Sequence, residues 1–291
     1  SSIRSRPLVL LDGMLAPHDV TIGGTPKTFM IGAMGWGGNA FYAMDVTAAG
    51  SQPEFLWAVD NVRYDQVEVS PIDGVKRWGA AAGGAKTNYD YSDLGLTIAA
   101  PELRTTAAGD VGILPGGLGY NFGADSQGKA FYIFDPQNGS IIRKIATGSG
   151  YVGLGQMGMG IAPVSYITQG SDTVEFFTGD SEGNVLHCDT TGAPSGWNLT
   201  SIFRLRTAAN KPIALTKALK IGKTSAGDRW LFGGTSDLMV PDFSATRMLE
   251  NDEQYIFGLN LNKVIGKSPV ATLADLVELK YLRASPDVVP S

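Results

Sequence analysis

The sequence predicts an all-β fold, a modified β-propeller of roughly six to seven blades with one short C-terminal helix. Three observations predict it. Glycine is in excess, 38 of 291 residues with no collagen period, and it separates short apolar runs, so the chain turns often. The runs, such as AFYIF at 130–134 and VEFFT at 174–178, carry the aromatic and β-branched residues that suit pleated, buried strands. Strands that end in aspartate then recur, at Asp45, Asp135 and Asp189. With blades of about 40–45 residues, the first interval holds two blades and the second one enlarged blade. A β-sandwich predicts no such repeated hairpins.

In chain order, residues 1–27 read as irregular because Pro7, Pro17 and Pro26 interrupt any long element, with one short strand at 8–11. The first clear unit is 28–47: a strand at 29–31, a Gly-rich turn at 32–39 and a return at 40–44. A third strand follows at 55–59. Residues 62–93 show neither a two-residue nor a helical period and read as a long loop. Residues 94–106 read as a strand with Pro101 at an edge or bulge. The second unit, 111–148, contains AFYIFD, the turn PQNG and SIIRKI. Residues 160–167 form a further strand. The third unit is the hairpin 174–189: its first strand ends at Thr178, the turn is Gly179, Asp180, Ser181, Glu182, Gly183 and Asn184, and Val185 to Cys188 return. Gly179 and Gly183 are expected to take backbone angles closed to other residues. Trp197 and 202–205 close this unit. Strands follow at 212–222, 229–236 and 254–261, around a polar stretch at 244–254. Residues 271–282 alone have helical spacing.

The chain is read as a single domain, 1–291, cut from a longer exported protein. Hydrophobic content of 43% against 18% charged supports a large core. A net charge of -5 and no basic cluster argue against nucleic acid. No apolar run reaches the roughly 18 residues of a membrane helix. Cys188 is the single cysteine, so no disulfide forms within the chain.

Three motifs invite chemistry and are read structurally instead. Gly153, Gly155 and Gly158 fit G-x-G-x-x-G, but a strand-like segment follows where a dinucleotide site needs a helix. Gly179, Ser181 and Gly183 fit a nucleophile elbow, but that elbow opens a helix and needs a His base, and His187 lies on the return strand of the same hairpin. His187, Cys188 and Asp189 are consecutive on a strand and point to alternating faces, a poor cage for a metal.

Several segments, in order, resemble the C-terminal propeller domain of the PilC/PilY1 family of type IV pilus proteins. They are GAMGWGGNAFYAMDVT, LGLTIAAP, GKAFYIFDPQNGSIIRKIATG, FFTGDSEGNVLHCD, LFGGTSDLMV with QYIFGLNL, and VATLADLV. The resemblance implies a non-enzymatic pilus biogenesis factor or tip adhesin, located in the periplasm, outer membrane or cell surface. Its partners would be minor pilins or the pilus tip complex, and a host or abiotic surface. Relatives carry a calcium loop just before the third hairpin. Aligned without gaps, its ligand positions fall here on Tyr166, Thr168, Gly170 and Val174, so no ligand carries over and no cofactor is expected. The contact loops are expected at 62–93 and 244–254. The alternative is a quinoprotein-type propeller dehydrogenase, which holds a quinone and a calcium ion in its channel.

Overall fold

A computed structural model describes residues 13, 15–61, 74–99, 101–119, 127–148, 165–235, 238–240, 247–249 and 254–276. The first sheet has the order β1 (Leu15–Ile22), β2 (Thr25–Ala33), β3 (Ala40–Asp45), β4 (Glu54–Asn61) and β5 (Val75–Gly79). The second contains β6 (Glu102–Thr106), β7 (Gly109–Pro115), β8 (Ala130–Phe134) and β9 (Ile141–Ala146). The third contains β10 (Ser165–Gln169), β11 (Asp172–Gly179), β12 (Asn184–Asp189) and β13 (Thr200–Arg204). A short clasp strand, Ala271–Thr272, returns from the C-terminal end and pairs parallel with β13. The fourth sheet contains strands Lys220–Lys223, Arg229–Gly234 and Ile256–Asn260, and the insert between the last two pairs Leu238–Val240 with Arg247–Leu249. Apart from the clasp strand, every ladder is antiparallel between neighbours in sequence or across that insert.

The all-β propeller architecture expected from the sequence is what forms. Four sheets stack face to face in chain order, and three core clusters fill the three junctions. Strand β8 shows how a sequence run encodes this. Successive strand residues point to opposite faces. Ala130, Tyr132 and Phe134 enter the core shared with the first sheet, while Phe131 and Ile133 enter the core shared with the third. An uninterrupted apolar run is therefore required, and all five side chains are buried. Likewise Phe176 faces the second sheet and Phe177 the fourth.

Several expectations are corrected. Residues 15–33 are a hairpin rather than irregular chain. Pro17 is tolerated because β1 is the edge of its sheet, and Pro26 lies beside the turn. Gly23 and Gly24, at φ 57 and 80, form that turn. Within 62–93, residues 75–79 are strand β5 and 80–83 and 86–89 are short 3-10 turns; 62–73 lie outside the described residues. The strand expected at 94–106 starts only at Glu102, after Pro101. Of 212–222, only Lys220–Lys223 is strand, although Ile213, Leu215 and Leu219 are buried. The one short helix among the described residues is Leu261–Val264. In the 271–282 segment, Ala271–Thr272 is the clasp strand and Leu273–Asp275 a 3-10 turn held by a Thr272/Asp275 capping box, while 277–282 lie outside the described residues. The strand read at 8–11 and the glycine motif at 153–158 lie outside the described residues. The sheets start at Leu15, Glu102, Ser165 and Lys220, spacings longer than a 40–45-residue blade, and the described residues make four sheets and a two-stranded ribbon.

Candidate functional site

The recurring aspartates share one local role. Asp45, Asp135 and Asp189 each accept a hydrogen bond from the backbone N–H two residues on, at Thr47, Gln137 and Thr191, all at 2.8 Å. This is the Asx turn that ends the third strand of each of the first three sheets. The fourth sheet has the same device with a different residue: Asn260 accepts from the Asn262 N–H at 3.0 Å. A search for aspartate alone misses that fourth member.

The third hairpin is held by its turn. The Asp180 carboxylate accepts from the Asn184 backbone N–H at 2.7 Å and from its side-chain amide at 2.8 Å. The turn then reaches across to 205–215, where Leu205 N–H donates to the Gly183 carbonyl at 2.8 Å and Leu215 N–H to the Asp180 carbonyl at 3.0 Å. Gly183 has φ +72, as its motif position predicts. Gly179 does not have positive φ; it is glycine because a Cβ would lie 2.7 Å from Leu215 Cβ. Asn184 belongs to the returning strand.

Burial raises the Asp180 carboxyl from 3.8 to about 6, against the lowering effect of its bonds to Asn184. Between those values the folded chain keeps a proton that the unfolded chain releases. Stability relative to Asp180→Asn should therefore be highest below about pH 4, fall as pH rises, and level off above about pH 6. A shift of about two units corresponds to about 3 kcal/mol. Urea melts of both proteins at pH 4 and pH 7 check this, and a pH-independent difference between them would refute it.

His187 lies close to Glu175, Nε2 to Oε2 at 3.0 Å, and its ring stacks on Phe177. Burial works to raise the Glu175 carboxyl, but hydrogen bonds from His187 and Arg229 outweigh it and hold it below its ordinary value. Burial pushes the Cys188 thiol up to about 12. These groups join the third sheet to Arg229 of the fourth. Beside them, His187, Asp189, Thr191, Trp197, Asn198 and Thr200 line an open cleft of about 490 Å3.

The calcium-loop positions fall on ordinary strand and turn. Tyr166 and Thr168 are in β10, Val174 is in β11, and Gly170, at φ +63, sits in the two-residue turn between Gln169 and Asp172. Sequence reading missed the group around Tyr166. The Arg104 guanidinium lies 3.8 Å above its ring and pairs with Glu102. Burial raises the Glu102 carboxyl, with Arg104 opposing it. His18, on β1, is lowered to about 4 by burial and then by the Arg104 charge. These side chains come from the first strands of three sheets, brought together only by stacking, so no sequence spacing announces them.

Antiparallel sheets stacked in chain order, each ending its third strand in an Asx turn, define a β-propeller domain. The chain belongs to the PilY1 beta-propeller domain family, whose model matches residues 9–276. That places it in a type IV pilus-related family. Among solved structures it is similar to the crystal structure of the Pseudomonas aeruginosa PilY1 C-terminal domain, with a TM-score of 0.57 and 16% identity. The match covers 90% of this chain and 51% of that one, so this chain spans about half the length of the solved one. No curated protein matches.

Proposed function

We propose that this domain supports type IV pilus assembly, retraction control and surface attachment through protein–protein contacts, without catalysing a reaction. It would act in an exported, pilus-associated protein, with minor pilins or the tip complex and a host or abiotic surface as partners. The family match over residues 9–276 carries this reading. Two groups in the third hairpin, beside the nucleophile-elbow motif, have structural roles. Asp180 closes a turn, and His187 is tied to Glu175. No helix among the described residues is long and apolar enough to cross a membrane.

The contact surface is placed on the rim, where connecting segments vary without disturbing the sheets. Deleting all of 62–93 is a poor test, because Tyr89 and Tyr91 are buried and their hydroxyls bond the Asn138 and Gly139 carbonyls of the second sheet. Its exposed part around Thr87 and Asn88 is the better target. The protein should capture minor pilins in a pull-down both with and without a chelator, since Tyr166, Thr168, Gly170 and Val174 supply no calcium cage. Thr87→Glu with Asn88→Lys should weaken capture about tenfold while leaving the melt unchanged. No capture of any minor pilin would sink the proposal. Capture lost on chelation would sink its calcium-independent part.

A further inference from the structure

The loop that joins β12 to β13 walls the cleft beside His187. It leaves the third sheet after Asp189, turns through Pro194–Gly196 and returns by way of Trp197. Trp197 is 2% exposed and packs into the core between the second and third sheets. Arg143 of the second sheet donates from Nε to the Trp197 carbonyl at 3.3 Å and from its guanidinium to Asn198 Oδ1 at 2.9 Å. The loop is thus anchored, and the cleft of about 490 Å3 is pre-formed. That volume lies within the range of about 300–1,000 Å3 typical of small-molecule sites.

The lining offers hydrogen-bonding groups that the chain itself does not use. The Trp197 indole Nε1–H is buried and has no acceptor among the described residues. Buried polar groups of this kind are rare and call for a partner. Asp189 spends Oδ1 on the Thr191 backbone N–H and hydroxyl, at 2.8 and 2.6 Å, leaving Oδ2 to accept from a ligand. The same two bonds hold the Asp189 carboxyl below its ordinary value, so it is ionised. The Asn198 amide nitrogen reaches only the Gly196 carbonyl, at 3.5 Å. Thr200 adds an exposed hydroxyl opposite His187 on the neighbouring strand.

We propose that this cleft binds a neutral sugar. A sugar hydroxyl both donates and accepts at one atom. It can donate to Asp189 while accepting from Trp197 Nε1–H or the Asn198 amide. Three other ligand classes fit worse. A phosphate or carboxylate would meet the Asp189 charge, and among the described residues no lysine or arginine lines the cleft. An ammonium group has no acceptor for the Trp197 and Asn198 donors. An acyl chain needs apolar walls, and the one large apolar side chain in the lining, Trp197, is buried. The biological role of such binding rests on the surface attachment proposed above; the binding itself does not.

Isothermal titration calorimetry with methyl α-mannoside, methyl β-galactoside, methyl β-glucoside and N-acetylglucosamine tests the proposal, with glucose 6-phosphate as the anionic control. At least one neutral sugar should bind with a Kd of about 1 mM or tighter, and the phosphate should not. Thr200→Val and Asp189→Asn should each weaken binding about tenfold, the loss of one hydrogen bond, with the thermal melt unchanged. Thr200 is exposed, and Asp189→Asn keeps an acceptor for the Asx turn, as Asn260 does in the fourth sheet. Binding of none of the four sugars, binding unchanged in both variants, or a preference for glucose 6-phosphate would overturn the inference. Minor-pilin capture lost in Thr200→Val would overturn it as well, because the cleft would then hold a protein. Absent sugar binding with pilin capture intact removes this inference and leaves the proposed function standing, so the two failures are distinguishable.

Discussion

Gly183→Val should lower the stability of the domain by about 4 kcal/mol, or leave it unfolded. Two independent penalties combine. The backbone at φ +72 lies where a β-branched residue is strained by about 1–3 kcal/mol. A Cβ there would also sit 2.3 Å from the Leu205 carbonyl oxygen and 2.7 Å from that of Ile213. The Leu205 carbonyl cannot retreat freely, because it accepts from Ile213 N–H while Leu205 N–H donates to the Gly183 carbonyl. Relief of the overlap must open the contact between the third hairpin and the segment entering the fourth sheet. Gly170→Ala is the control. It has a similar φ of +63 but open space around its Cβ, so it should cost only about 1 kcal/mol. Urea melts measure both. Equal losses at the two positions would remove the overlap from the explanation, and a Gly183→Val melt within about 0.5 kcal/mol of wild type would remove the turn assignment as well.

What the sequence made legible was whatever a single strand or turn encodes. The run AFYIF is apolar throughout because both faces of its strand are buried, and the third hairpin is marked by its own glycines and Asx residues. Residues 212–219 misled because burial and strand formation are separate demands. Ile213, Leu215 and Leu219 fill the core between the third and fourth sheets without joining a ladder there. At the start of 271–282 the apolar spacing misled in the same way: Ala271 is buried against the third sheet as a strand residue, and Thr272 with Asp275 caps a short turn. The Tyr166, Arg104, Glu102 and His18 group was out of reach for another reason. Its members lie far apart in sequence, and only the stacking of sheets brings their first strands together.

Trp57→Ala should cost about 4 kcal/mol, the loss typical of deleting a buried large aromatic side chain. Trp57 is fully buried on β4, and its ring packs edge-on against Phe41 and Phe134, at centroid distances of 5.2 and 5.8 Å. Phe134 belongs to the second sheet, so the cavity would open at the junction rather than inside one sheet. The indole Nε1–H also donates to the Pro136 carbonyl at 2.9 Å, and Gly139 of the same PQNG turn leaves room for the ring, since a Cβ there would lie 2.8 Å from it. The turn that ends β8 is thus shaped around a side chain from the neighbouring sheet. Trp57→Phe separates the two contributions. It keeps most of the packing but leaves a buried carbonyl without its donor, so its loss should be about 1–2 kcal/mol. If Trp57→Phe were as damaging as Trp57→Ala, the hydrogen bond to Pro136 would be the dominant link between the first two sheets. If Trp57→Ala cost less than about 1 kcal/mol, those sheets would not share the core described here, and the stacking order on which the domain is built would fail at its first junction.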